Sequence, residues 1–76
     1  GMEYKVIVVD ATRGIIEGNS LQQAADNLAE QVNADIKAGW EPHGAVNFCE
    51  TENENPNLMQ AMVRRGGEVA PGQAGG

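Results

Sequence analysis

The sequence contains one histidine and one cysteine, His43 and Cys49, and these are the side chains best suited to acid–base or nucleophilic chemistry. An imidazole changes charge near neutral pH, and a thiol becomes a nucleophile when a base or a positive charge lies beside it. Glu41 and Glu50 are the nearby groups that could orient such a pair. The pattern is more typical of a turn histidine and a half-buried strand cysteine, so we predict no catalytic residue and no enzyme.

Three alternating carboxylates, Glu50, Glu52 and Glu54, could gather a divalent ion. A calcium loop also needs Asp or Asn ligands, a central glycine and a later bidentate Glu, and this stretch has no glycine. We interpret these carboxylates as a solvated turn that discourages edge aggregation. The sequence therefore predicts no metal site and no cofactor.

The chain ends in Gly75 and Gly76, as ubiquitin-like modifiers and sulfur carriers do, whose terminal carboxylate is activated as an adenylate. Glycine suits that chemistry because it has no side chain to obstruct a narrow active site. Residues 66–76 hold three further glycines, so the ending is weakly specific. The alternative function is therefore that of a carrier protein that acts through its C-terminal Gly-Gly. If residues 15–17 formed a strand, the element order would become β-β-α-β-β, which is compatible with the fold of such carriers.

Composition limits the class of protein. The chain has 76 residues, 5 basic and 11 acidic, for a net charge of -6, which repels nucleic acid and anionic lipid. The longest apolar run, residues 6–9, is far shorter than the ~20 residues that span a bilayer. With one cysteine there is no internal disulfide, so we expect a soluble, cytoplasmic protein that binds neither nucleic acid nor membranes.

The first predicted element is a strand over residues 3–11. It is rich in β-branched residues, and both of its faces are largely apolar. Such a strand is usually covered on both sides. One face carries Tyr4, Val6 and Val8, and the other carries Lys5, Ile7 and Val9.

An amphipathic helix is predicted over residues 21–38. Ser20 and Gln23 fit a capping box at its start, and Gly39 stands where a left-handed C-terminal residue is wanted. The route between the first strand and this helix, residues 12–19, is predicted as a loop. The apolar positions recur every three or four residues and form one packing face: Leu21, Ala24, Ala25, Leu28, Val32 and Ile36.

Two further strands are predicted, over residues 45–51 and 58–64, with Val46 and Phe48 on the helix side. Trp40 should close the end between helix and sheet, and Pro42 and Gly44 should loosen the approach to the second strand. We treat four residues here as candidates for a binding site or a structural turn: Trp40, Pro42, His43 and Gly44.

The elements assemble into a small α+β domain of β-α-β-β order over residues 2–65, followed by a disordered glycine-rich tail, residues 66–76. We place the third strand in the centre, antiparallel to both others, with the helix on one face. One helix leaves the other face open. A domain of this size buries only about 60% of its unfolded surface, so we predict a homo-oligomer, most simply a dimer, that covers that face.

Three sequence blocks carry a resemblance to a known family: Tyr4-Lys5-Val6, the run Gly39-Trp40-Glu41-Pro42 with Gly44, and the run Gln60-Ala61-Met62-Val63. The chain resembles, over residues 3–64, the small bacterial and phage family called domain of unknown function 1737. The resemblance implies a compact β-α-β-β domain without an established activity. From the residues we predict a non-catalytic interaction or accessory module, with an unidentified protein as a further potential partner.

Overall fold

The computed structural model describes residues 1–12, 20–50, 52 and 55–65. Strand β1 (Glu3–Asp10) is followed by helix α1 (Ser20–Lys37) and by strands β2 (Glu41–Glu50) and β3 (Pro56–Arg64). This is a small α+β domain of β-α-β-β order, as predicted. The helix begins and ends one residue earlier than predicted, a difference within the ordinary uncertainty of helix boundaries.

The three strands form one sheet in the order β1-β3-β2, with β3 antiparallel to both neighbours. The prediction that the third strand is central is therefore confirmed. Val9 pairs with Leu58 on one side of β3, and Phe48 pairs with Leu58 on the other. Because side chains alternate along a strand, these three residues share the face that meets the helix.

The core lies between α1 and the β1–β3 half of the sheet. Two helix residues one turn apart, Ala24 and Leu28, are buried in it, and Met62 at the centre of β3 is 0% exposed. The spacing of four places Ala24 and Leu28 on one side of the helix. Within the described part of the chain, the buried apolar residues are Ile7, Val9, Ala11, Ala24, Leu28, Leu58 and Met62.

Helix α1 ends in a Schellman motif. The Trp40 amide donates to the Asp35 carbonyl at 2.9 Å, and the Gly39 amide donates to the Ile36 carbonyl at 3.0 Å. Gly39 has a φ of 96°, which confirms the predicted left-handed residue. The motif turns the chain directly into β2.

Trp40 joins the end of the helix to two strands. Lys5 Nζ of β1 lies 4.4 Å from the centre of the Trp40 ring, and Arg64 Cζ of β3 lies 4.5 Å from it. Such cation–π contacts contribute on the order of 0.5–2 kcal/mol each. The expected place of Trp40, between helix and sheet, is confirmed by its half-buried packing against the core.

Ion pairs hold the same two cations in place. Lys5 Nζ donates a hydrogen bond to Asp35 Oδ1 at 3.1 Å. It also lies 3.0 Å from Asp35 Oδ2, and this second contact is an ion pair without hydrogen-bond geometry. Arg64 pairs with Glu3 at 2.9 Å and donates to the Ala38 carbonyl at 3.3 Å. Helix α1 is thus tied to β1 and β3 at its C-terminal end.

Strand β1 closes on a local turn. The Thr12 amide donates to Asp10 Oδ1 at 2.7 Å. Hydrogen bonds from the Thr12 side chain and then from its backbone hold the pKa of the exposed Asp10 carboxyl below its ordinary value. Residues 13–19, and with them the question of a strand at 15–17, lie outside the described residues.

Replacing the buried Met62 tests the core. We expect Met62→Ala to lower the free energy of unfolding by about 2–5 kcal/mol, because the lost side chain leaves a cavity between sheet and helix. Urea denaturation followed by circular dichroism measures the change. The matched control is Met2→Ala, whose side chain is 63% exposed just before β1 and which should cost less than half as much; equal losses would contradict this account of the core.

Candidate functional site

The sheet face opposite α1 is open, and its β1–β3 part is apolar. We call this surface the back face. On β1 its side chains are exposed by 62% at Tyr4, 48% at Val6 and 56% at Val8. The β3 residues paired with them are Val63, Ala61 and Met59. The sequence left open which side of β1 would be covered, and the structure places Ile7 and Val9 under the helix.

Strand β2 continues the back face with polar side chains. His43 pairs with Ala61, and its ring lies 6.3 Å from the Tyr4 ring in an edge-on arrangement. Cys49 pairs with Asn57, further along β3. The strand rise puts His43 and Cys49 more than about 13 Å apart, so the imidazole cannot activate the thiol.

A groove separates α1 from β2 on the opposite face, and we call it the α1–β2 groove. Val46 and Phe48 lie on the helix side of β2, as predicted, yet they are 52% and 57% exposed because α1 covers β1 and β3 instead. The cavity in this groove measures about 280 Å³. Its lining is mostly apolar and comprises Ala25, Leu28, Ala29, Val32, Asn33, Pro42, Val46, Leu58 and Gln60.

Strand β2 begins four residues earlier than predicted, at Glu41 rather than at Ala45. The prediction that the second strand begins only after Pro42 and Gly44 is therefore wrong. Pro42 is tolerated because β2 is an edge strand, and Gly44 accommodates a φ of 81° where the register shifts between His43 and Asn47. Strand β2 therefore continues through this register shift, although proline and glycine in the sequence favour a break in the strand there.

The buried side chain of Gln60 stabilises this irregularity. Its amide nitrogen lies 3.4 Å from the His43 carbonyl, 3.0 Å from the Gly44 carbonyl and 3.0 Å from the Ala61 carbonyl. The sequence pattern by itself indicates no role for Gln60. A polar residue at the centre of an apolar strand was the signal that could have found it, since a buried amide needs partners.

The four candidate residues do not converge on one site. Trp40 lies between α1 and the end of the sheet, and Pro42 lines the α1–β2 groove. His43 is on the back face, and Gly44 offers its carbonyl to Gln60. They surround the start of β2, between the back face and the α1–β2 groove.

Other predicted features lie elsewhere or outside the described chain. Within residues 1–12, 20–50, 52 and 55–65, no three His, Cys, Asp or Glu side chains are grouped so that they could hold a metal ion. Glu54 and the terminal Gly75 and Gly76 are not among those residues. In the same part of the chain, no helix has the length and apolar character to cross a membrane.

Comparison with known proteins gives no match to a protein-family model, to a curated protein or to a solved structure. The resemblance to domain of unknown function 1737 therefore stays a prediction. The fold class, an α+β domain with three antiparallel strands and one helix, follows from the structure itself.

Gln60→Met tests the role of the buried amide. The variant keeps the length of the side chain but removes the donor, so the carbonyls of His43 and Gly44 lose the hydrogen bonds from position 60. We expect the free energy of unfolding to fall by about 1–3 kcal/mol, measured by urea denaturation, and the amides of β2 to exchange faster. Gln31→Met makes the same change on the exposed side of α1 and should stay within about 0.5 kcal/mol of wild type; an equal loss there would contradict the assignment.

Proposed function

We propose that this domain is a non-catalytic, homo-oligomeric interaction module and that copies associate through the back face. The observation that carries the proposal is the exposure of the apolar β1 row, at Tyr4, Val6 and Val8, beside an apolar row of β3. A continuous apolar sheet face is a surface that a stable protein usually covers.

The charge distribution favours a second copy as the partner. Counting only the described residues, the centre of the back face carries no charged side chain, and the acidic groups of this face lie at opposite ends of the sheet, Asp10 on β1 and Glu41 on β2. Two copies related by a twofold axis can therefore pack face to face without burying like charges.

The size of the face suggests a modest affinity. Three strands of eight residues give a flat footprint of roughly 400 Å², from a strand spacing of about 4.8 Å and a rise of about 3.4 Å per residue. A standard interface buries about 800 Å² on each partner. We therefore expect a dimer whose population depends on protein concentration.

Several observations support a non-catalytic role. His43 and Cys49 are too far apart to act together, and the cavity of about 280 Å³ lies just below the usual range of roughly 300–1,000 Å³ for small-molecule sites. Cys49 is unpaired and exposed, which suits a reducing compartment, so we propose a cytoplasmic location.

Val6→Lys tests the back face as an interface. We expect the wild-type chain to be oligomeric at tens of micromolar, and the variant to weaken self-association at least tenfold, which corresponds to about 1.4 kcal/mol, because a lysine charge would lose its water at the contact. Multi-angle light scattering and sedimentation equilibrium measure both. Ala34→Lys adds the same charge on the exposed side of α1 and should leave association unchanged.

Two results would overturn the proposal. One is a monomeric wild-type chain at tens of micromolar, and the other is equal association of the wild type and Val6→Lys. Circular dichroism of the variant establishes that a loss of association is not a loss of folding. The substitution should be tolerated in the monomer, since the Val6 side chain is already 48% exposed there.

A further inference from the structure

We propose a second self-association site on a different surface, the free edge of β2. Two copies place their β2 strands side by side, antiparallel, about a twofold axis at Asn47, so that their sheets join into one. Phe48 of each copy then enters the α1–β2 groove of the other. This site is independent of the back face and goes beyond the proposed function.

From Asn47 onward, the free edge of β2 is less protected than that of β1, since Pro42 and the register shift between His43 and Asn47 guard only its first half. Both are edge strands in the order β1-β3-β2. The inward side chains of β1, Ile7 and Val9, are buried under α1, and β1 also carries Lys5, a residue type that commonly guards edges. Strand β2 contains no lysine or arginine, and all of its residues are exposed.

The pattern of side chains on β2 selects the register. With the axis at Asn47, Val46 of one copy lies opposite Phe48 of the other, so the exposed apolar residues of β2 face each other in two equivalent pairs. Glu50 then lies opposite Gly44 of the second copy and meets no other carboxylate. Shifting the axis by one residue, to Phe48, would instead place Glu50 opposite Val46.

Asn47 suits a position on the axis. Its amide carries both a donor and an acceptor, so two asparagines related by twofold symmetry can satisfy each other. Among the residues that the structure describes, the Asn47 side chain makes one long contact, of 3.5 Å, to the Ala45 carbonyl. Its side chain is exposed and available for such an exchange.

The α1–β2 groove has room for an aromatic ring. Its cavity of about 280 Å³ borders Val46, and the small residues Ala25 and Ala29 form part of its helix wall. An apolar cavity of roughly 150 Å³ is enough to bind benzene. Phe48, which is 57% exposed in the single chain, supplies such a ring directly opposite Val46 in this register.

Disulfide trapping tests the register. We expect Asn47→Cys in a Cys49→Ser background to form an intermolecular disulfide on mild oxidation, because directly opposite residues have Cα atoms about 4.5–5.5 Å apart, within disulfide range. The matched control is His43→Cys in the same background, also on the back-face side of β2. The register shift places His43 only two β3 positions away from Asn47, so the two thiols would lie about 14 Å apart along the strands, still beyond disulfide range. Non-reducing electrophoresis should show at least tenfold faster dimer formation for the first variant.

Phe48→Ala added to the Asn47→Cys variant tests the groove. We expect cross-linking to slow at least tenfold, whereas Leu21→Ala, an apolar truncation at an exposed position of α1 outside both proposed contacts, should leave the rate unchanged. Cross-linking should also persist with Val6→Lys, which separates the edge contact from the back-face contact. Circular dichroism of every variant establishes that it is folded.

The outcomes separate the two interfaces. Equal cross-linking at positions 43 and 47, no cross-link at 47, or no effect of Phe48→Ala would overturn the edge proposal whatever the back face does. Cross-linking at 47 that is abolished by Val6→Lys would also overturn it, because the edge would then form no contact of its own. If the edge fails while Val6→Lys still dissociates the wild-type oligomer, the back-face proposal stands alone.

Discussion

The contacts of Trp40 with Lys5 and Arg64 decide which part of the sheet the helix covers. The Schellman motif turns the chain from α1 into β2 at Trp40, and the two cations over its ring come from β1 and β3. Lys5 also pairs with Asp35 of the helix, and Arg64 binds the Ala38 carbonyl. The C-terminal end of α1 is therefore fixed to the β1–β3 half of the sheet, and β2 is left uncovered.

Two open surfaces follow from that placement. A single helix cannot cover both faces of a sheet, so the outer rows of β1 and β3 stay exposed as the back face. The helix also does not reach the far edge, so Val46 and Phe48 stay exposed on the covered side. A domain of this length has a small hydrophobic core, and association of copies would stabilise it by burying these exposed apolar residues.

Gln60 shows how a buried polar residue can define an edge. Its amide nitrogen lies 3.4 Å from the His43 carbonyl and 3.0 Å from the Gly44 carbonyl, at the shifted register of β2, and its side chain lines the α1–β2 groove. Strand β2 can therefore include Pro42 and the positive φ of Gly44 and still belong to the sheet. An apolar residue at position 60 would remove this hydrogen-bond donor from the carbonyls of β2.

The sequence by itself determined the element order, the amphipathic helix, the left-handed Gly39 and the central place of β3, because periodicity, helix-end signals and chain-crossing rules are local or topological. It also determined that one sheet face would be open. Only the tertiary structure decided that Ile7 and Val9, rather than Val6 and Val8, face the helix, since both sides of β1 are apolar. It likewise decided the early start of β2 and the exposure of Phe48, because these depend on the Gln60 amide and on the position of α1, which are long-range contacts that no sequence window contains.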